Sequence, residues 1–387
     1  MPEAVIVDAI RSPIGRAFKG SLAGLRPDET GAFVVDQLLE RNQALEPDQV
    51  EEVMCGCGMP QGLQAFNIGR IIVLLSERLP ETVNGVTISR YCASSLEAIR
   101  QAANSVAAGQ GEAYIAAGVE WVSRYNERTE PAGAADRNER LQGKDGQPDA
   151  YIEMGLTAEN VADRYEVSRA DMDKYAQRSQ ELAVAAQESG YYDREIVPVT
   201  LPDGTEVGED DGPRPSSTLE KLSQLEPAFR EDGKVTAGNS CPLNDGAAAA
   251  LVMSAERAKE LGLQPRARVI TAATFGNEPE YMGVAPIGAI KKVLDRAGMK
   301  IGDVDVVELN EAFAAQVIPI MDECDIPLDK LNTHGGAIAL GHPFGMTGAR
   351  IMTTLLNAME TDDHQVGLET MCVAGGQGEA MIVERLN

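Results

Sequence analysis

Several things are scarce in this chain of 387 residues, and each scarcity excludes something. The first residues, "MPEAVIVDAIRSPIG", show no basic cluster and no long apolar run, so no export signal is expected there. Nowhere do eighteen apolar residues follow one another, so a helical membrane span is not expected. Six cysteines over this length are too few for a disulfide scaffold, and without export they are expected to stay reduced. The expected location is the cytoplasm. The pair in "CGC", Cys55 and Cys57, has no second pair at ligand spacing, so it reads as structural and no metal is expected. Positive charge is also short: 34 Lys and Arg face 60 Asp and Glu, a formal net charge of −26. Nucleic-acid binding needs cations to neutralise phosphates, so that partner is excluded. An anionic small molecule would still need local cations against this background. Finally, there are only three histidines, and two of them, His334 and His342, fall in "NTHGGAIALGHPFGMTGAR" (332–350).

What is present is an alternation of strand and helix patterns. "AVIVDAI" (4–10) reads as a buried strand, "PDETGAFVVDQLLERN" (27–42) as an amphipathic helix and "QVEEVMCGCG" as a second strand. Leu96, Ile99, Ala103 and Val106 recur at helical spacing until Gly109. Such alternation predicts a layered α/β protein with a parallel sheet. From Trp121 to about Pro148 the pattern lapses into a polar, glycine-bearing stretch, and residues 121–240 read as an insertion. The pattern then restarts. "ARVITAATFG" (267–276) echoes the first strand, and "MKIGDVDVVELNEAFAAQ" (299–316) echoes "LEPDQVEEVMCGCGMPQG" (45–62). "GLETMCVAGGQGEAMIVE" (367–384) echoes "AYIAAGVE" (113–120) with an extra strand. The offset of roughly 250 to 265 residues marks a weak internal repeat. Two similar halves would bring the loops at their strand ends into one shared site.

Four residues in those loops could do chemistry. In "TISRYCASSLEAIR", Cys92 stands at a strand-to-helix junction followed by small residues, where unpaired amides and the helix dipole favour a thiolate. In "MCVAGGQG", Cys372 ends a strand in a glycine-rich turn that lacks the P-loop and dinucleotide patterns. Its glycines let a substrate approach the backbone and free amides to face an oxyanion. Either thiol taken alone is as compatible with a packed core. His334 and His342 are eight apart, the wrong spacing for one helical metal face. Gly341 and Pro343 hold His342 in a stiff turn, whereas His334 is expected to hydrogen-bond within the loop. Asn310 in "ELNEAF" follows a strand, where its amide could orient a water or an oxyanion. Together they suit a thiol that attacks an acyl carbonyl, a histidine that takes its proton and a second thiol that shuttles protons.

The chain closely resembles the thiolase family over nearly its full length. "SRYCASS", "GLTAENVA", "KVTAGNSCPLNDGAAA", "ELNEAFAAQ", "HGGAIALGHPFGMTGAR" and "MCVAGGQG" carry the resemblance, the last three with high specificity. It implies an α/β/α/β/α layered fold of two similar halves with an inserted loop domain. The halves would be 1–120 plus 241–263 and 264–387, with the insertion at 121–240. It also implies that Cys92 carries the acyl group as a thioester and that His342 activates it. His342, with a water held by Asn310, would polarise one thioester oxygen, and Cys372 would be the second acid/base. Backbone amides at Cys92 and at the Ala374–Gly375 turn would form the other oxyanion hole. Arg214, Ser240 and Cys241 fall where the family contacts CoA, a substrate and not a resident cofactor. Two residues depart from the family pattern: Ala374 stands for the usual Gly, and Cys241 for the usual Ser.

The resemblance implies CoA-dependent cleavage of a 3-ketoacyl-CoA to acetyl-CoA and a shortened acyl-CoA, as in fatty-acid β-oxidation. Acetoacetyl-CoA thiolase is the close alternative. A non-catalytic acyl-CoA or lipid binder would be expected to lose a cysteine or the histidine, and a decarboxylating ketoacyl synthase would not need Cys372. A homodimer or homotetramer is implied, with a hydratase/dehydrogenase subunit as a further partner.

Overall fold

The computed structural model describes residues 2–125 and 136–387. Its strands are β1 (Ala4–Arg11), β2 (Gly15–Arg16), β3 (Glu52–Cys57), β4 (Asn84–Ile88), β5 (Ala113–Trp121), β6 (Val199–Thr200), β7 (Glu206–Val207), β8 (Asn244–Ser254), β9 (Ala267–Gly276), β10 (Val306–Leu309), β11 (Val366–Val373) and β12 (Gln377–Arg385). The main ladder runs β10-β11-β12-β9-β1-β8-β5-β3-β4, with β2 beside β8, while β6 and β7 form a small ribbon of their own.

The repeat in the sequence has a counterpart in this topology. The series β1-β8-β5-β3 is joined by antiparallel, antiparallel and parallel pairings, and β9-β12-β11-β10 repeats it. The two series meet in a short seam, where β1 pairs β9 only at Val5↔Arg268 and Ile6↔Ala267. The expectation of a parallel sheet is corrected here, because both halves are mixed. β11 and β12 are joined by the turn Ala374–Gly376, far too short for a parallel crossover, and Gly375 (φ 78°) and Gly376 (φ 76°) supply its left-handed steps. β8 returns from the long excursion to run antiparallel to both β1 and β5.

Helices complete five layers. The helices Pro27–Arg41 and Ile68–Leu75 cover the outer face of the first series, and Ala285–Ala297 covers that of the second. Pro27 and the acidic pair Asp28 and Glu29 suit the start of the first helix, whose Val34, Val35, Leu38 and Leu39 are buried. Between the two series lie Ser94–Ala107 and Thr347–Thr361, packed on one another. Every residue from Thr347 to Met359 is buried, the polar Arg350, Thr353, Thr354 and Asn357 included, as befits a helix of the middle layer. This layer begins at the two turns that carry Cys92 and His342.

The excursion contributes the helices Met154–Arg164 and Arg169–Glu188. Residues 126–135 of the polar stretch between Trp121 and Pro148 lie outside the described residues. Buried charge anchors the chain beyond the second of these helices: Arg11 pairs with Glu195 and Asp210, each at 2.8 Å, and all three are inaccessible to solvent or nearly so. Glu311 accepts from Tyr175 Oη (2.7 Å), Ser179 Oγ (2.6 Å), Asn332 Nδ2 (2.7 Å) and Ile338 N (3.2 Å). One carboxylate thus clamps the second helix of the excursion onto the loop that leads to His342. Among the described residues no helix is long and apolar enough to cross a membrane.

Candidate active site

Cys92 occupies a single 3-10 turn, Tyr91–Ala93, between β4 and the helix Ser94–Ala107. Ser94 fixes that turn, its hydroxyl donating to Tyr91 O (2.6 Å) and accepting from Arg90 N (2.9 Å). Tyr91 is held at φ 44°, a left-handed conformation costly for a bulky residue, immediately before the thiol. Cys92 is half-buried. Its environment reverses the expectation drawn from the helix end. Burial pushes the thiol well above its ordinary pKa, the neighbouring Cys372 and Cys241 push it the same way, and only the Ala374 backbone N–H pulls it back. The resting sulfur is therefore a thiol, and it needs a base.

His342 is buried, with its backbone N–H and both ring nitrogens facing polar partners. Its N–H donates to Asn244 Oδ1 (3.0 Å), and Asn244 Nδ2 donates to Gly15 O (3.0 Å). Gly341 has φ 116°, and a Cβ there would lie 2.5 Å from the Asn244 amide, so only glycine lets the loop approach its anchor. His342 Nδ1 lies 2.7 Å from Thr347 Oγ1, which itself donates to Pro343 O (2.7 Å). The hydroxyl hydrogen is committed to that carbonyl, so Nδ1 carries the imidazole proton and Nε2 keeps its lone pair. Asn310 Nδ2 lies 3.3 Å from Nε2, which suits an amide donor facing a bare nitrogen. Asn310 Oδ1 is buried with no hydrogen-bond partner among the described residues. Burial, and next the charge of Arg350, lower the imidazole to a pKa of about 3, so His342 rests neutral.

Cys372 is buried near the end of β11, opposite Gly378 of β12. Its Sγ lies 3.1 Å from Gln316 Nε2 and 3.4 Å from Gln316 Oε1, and Gln316 Nε2 also reaches Asn310 O (3.5 Å). Burial raises the thiol to about 11, with Gln316 opposing the rise. Cys241 is half-buried, its N–H donating to Ala312 O (2.9 Å), and burial raises its thiol too, with Cys372 next. Ala374, where the departure from Gly bears on backbone strain, is not among the positive-φ residues; the left-handed steps fall on Gly375 and Gly376.

The structure therefore brings together Cys92, Cys372, Cys241 and Ala374 on one side, with His342 and Asn310 paired beside them. The turn Phe344–Met346, next to His342, packs on the turn that bears Cys92. Ser240 is turned inward, its hydroxyl donating to Thr236 O (2.7 Å). Arg214 is exposed beside the helix Arg169–Glu188, its N–H bound to Gln180 Oε1 (2.8 Å), in a cleft of about 270 Å³ also lined by Val184, Pro215 and Thr218. Burial, then the neighbouring Arg16, lowers its pKa. His334 behaves as a loop residue: its ring stacks on Tyr191 at 3.8 Å and Nδ1 lies 3.0 Å from Thr333 Oγ1. Cys55 and Cys57 are buried in β3, and no group of metal-ligating side chains occurs among the described residues.

Sequence reasoning passes over Gln316, Thr347 and Asn244. Gln316 stands at the end of "ELNEAFAAQ", six residues beyond Asn310, yet nothing in that spacing shows it turning back to a thiol on another strand. Thr347 and Asn244 are ordinary polar residues in sequence. Only burial beside His342 marks them.

Comparison with known proteins agrees with this architecture. The thiolase N-terminal domain family matches residues 4–256 and the thiolase C-terminal domain family residues 263–385. A beta-ketoadipyl-CoA thiolase of Pseudomonas putida is 44% identical, with 100% of each chain covered. A 3-ketoacyl-CoA thiolase of Bacillus subtilis is 41% identical over 99% of this chain and 100% of its own. Among solved structures, the dimeric peroxisomal thiolase of Saccharomyces cerevisiae superposes with a TM-score of 0.93 at 38% identity, covering 100% of this chain and 98% of that one. The acetyl-CoA acetyltransferase of Bacillus anthracis gives 0.91 at 39% identity, covering 100% and 99%. Fold and likeness together define an acyltransferase that works on CoA thioesters. The chain belongs to the thiolase family, with CoA as its substrate and a 3-oxoacyl-CoA as the molecule cleaved.

Proposed function

We propose that this thiolase works in the degradative direction, with Cys92 as nucleophile, His342 as its base and Cys372 as the second acid/base. The observation that carries the reading is the neutral His342 with Nε2 bare, beside two thiols that burial keeps protonated. Nε2 takes the Cys92 proton as the sulfur attacks the 3-oxo carbonyl. The C2–C3 bond then breaks, its electron pair forming the enolate of acetyl-CoA. Cys372 donates its proton to C2, and acetyl-CoA leaves with the acyl group on Cys92. CoA next enters, gives its thiol proton to the Cys372 thiolate and attacks the Cys92 thioester. Cys92 departs with the proton held by His342, and both thiols are restored. The Ala374 N–H that reaches the Cys92 sulfur, with the Cys92 amide, suits one oxyanion. His342, with a water bound to the unpartnered Asn310 Oδ1, suits the other.

The substrate proposed is a linear 3-oxoacyl-CoA of fatty-acid β-oxidation. A second reading, a dicarboxylic 3-oxoacyl-CoA such as 3-oxoadipyl-CoA, is favoured by the names of several relatives near 41–44% identity. Arg214 is proposed to meet the nucleotide end of CoA, with Ser240 and Cys241 along its pantetheine arm. The likeness to a dimeric thiolase, with β4 at the open edge of the ladder, supports a homodimer or a tetramer of such dimers. The cytoplasm is the proposed location.

The test is intact-protein mass after mixing with acetoacetyl-CoA, 3-oxoadipyl-CoA or 3-oxohexadecanoyl-CoA, each without free CoA. An acyl adduct on Cys92 that CoA removes is the expected result, and the fastest-labelling substrate names the class. Fastest labelling by acetoacetyl-CoA would replace both substrate readings with the two-carbon enzyme. Binding without any adduct would overturn the mechanism in favour of a non-catalytic acyl-CoA binder.

A further inference from the structure

β5 is buried throughout and otherwise apolar, yet it carries a carboxylate near its end, Glu120, that the chemistry above does not use. Glu120 Oε2 accepts from Gly58 N (2.7 Å) and from Gly345 N (2.8 Å). Oε1 accepts from Met59 N (3.2 Å) and from the Gln64 side-chain amide. Gln64 is fixed in turn, donating to Met59 O (2.7 Å) and accepting from Trp121 N (2.8 Å). One oxygen therefore joins two loops from opposite halves: the loop after β3, and the turn Phe344–Met346 that comes after His342. A Cβ on Gly345 would lie 2.5 Å from Val119 O and 2.6 Å from Gly58 N, so the turn is pressed against β5 with no side chain to hold it. The same turn packs on the Cys92 turn, and the charge of Glu120 is felt at that sulfur. The titratable groups facing Glu120 are Cys55 and Cys57 of β3 and Cys92.

We infer that Glu120 is a positioning residue: as a carboxylate it sets the spacing between the His342 loop and the Cys92 turn, and so the reach of Nε2 to the nucleophile. A carboxyl group in its acid form turns one acceptor into a donor among N–H groups, and the clasp loosens. Misplacing a reacting pair by about 1 Å costs on the order of a hundredfold in rate. The inference rests on Cys92 and His342 in their proposed roles.

The experiment is Glu120→Gln, with Cys92→Ser alongside, followed by single-turnover acylation with a 3-oxoacyl-CoA and by alkylation of Cys92 with iodoacetamide at alkaline pH. Acylation is expected to fall ~10- to 100-fold with KM changed less than about threefold. Alkylation should hold its rate or move to lower pH, since a like charge has been removed. The acid limb of the acylation profile, expected near the Glu120 pKa of about 7, should vanish in the variant. Acylation within twofold of the parent (about the scatter of such rates) overturns the inference, as does a parallel loss of acylation and alkylation with the far-UV circular dichroism unchanged. Should Glu120→Gln not fold, Gln64→Met decides. It removes one donor and keeps the charge, and acylation should fall roughly threefold with alkylation unchanged; parent-like acylation overturns the proposal. An acyl adduct on Cys92→Ser would instead sink the nucleophile assignment, whatever Glu120 does.

Discussion

β5 and β11 hold equivalent places in the two halves, and each places its last functional side chain opposite a glycine: Glu120 faces Gly246, and Cys372 faces Gly378. One fold position thus serves two purposes. In the first half four N–H donors converge on a carboxylate, two of them through one oxygen. In the second half a single glutamine attends a thiol, and the turn beyond it is left open at Ala374 and Gly375. The first arrangement fixes loops. The second leaves a protonated thiol beside an open turn, as its proposed role as proton donor requires. The two halves supply two similar strand ends, and under the proposed roles the side chain placed there decides which end is scaffold and which is reagent.

That contrast can be broken from the reagent side. Cys92→Ala should abolish thiolysis, by about three orders of magnitude or more, with no acyl adduct in the mass spectrum. Cys372→Ala should lose carbon–carbon cleavage nearly as severely while still exchanging acyl groups between Cys92 and CoA. Isotope exchange from labelled CoA into an acyl-CoA measures this, and loss of both activities would show that Cys372 is needed for acylation as well. Gln316→Ala is expected to be milder, about tenfold on kcat. Gln316 holds the Cys372 thiol down against burial, so its loss should move the limb set by Cys372, near 11, upward in the pH profile of acetoacetyl-CoA synthesis.

The smallest effect concerns stability. Burial raises Glu120 to a pKa of about 7 and Glu308 to about 8, both above the ordinary value of 4.5. The folded state then binds more protons than the unfolded chain between that value and about 8, so stability must fall as pH rises through this window. Differential scanning calorimetry from pH ~5 to ~9 should show Tm declining, and Glu308→Gln should flatten the upper part of the decline. A Tm that rises across that range would show other groups dominate the linkage.

Much of the chemistry is legible in the sequence, because it resides in short contiguous stretches. "YCASS", "GHP" and "MCVAGGQG" each announce a thiol or an imidazole among small residues, and the order of strands and helices in the two halves announces the repeat. The direction of the strands is not legible, since β1, β5 and β8 are buried on both faces and read as nearly continuous apolar runs whichever way their partners point; the shortness of the Ala374–Gly376 turn decides for β12. The protonation of Cys92 is misjudged from sequence for a related reason. A helix N-terminus is visible in sequence, but the burial that outweighs it, and the neighbouring Cys241 and Cys372, are not. Glu120 is hidden as one acid ending an apolar run.

The candidate reactive groups, and the elements that bear them, depend on near neighbours along the chain, so both can be read from the sequence. Which groups meet, and in what state, was decided by the packing of distant segments. Thr347 assigns the proton of His342 and Gln316 attends Cys372, while Glu120 ties together loops from residues 58 and 345. These are contacts between buried polar atoms far apart in sequence, and burial is what gives a hydrogen bond or a charge its leverage on a pKa.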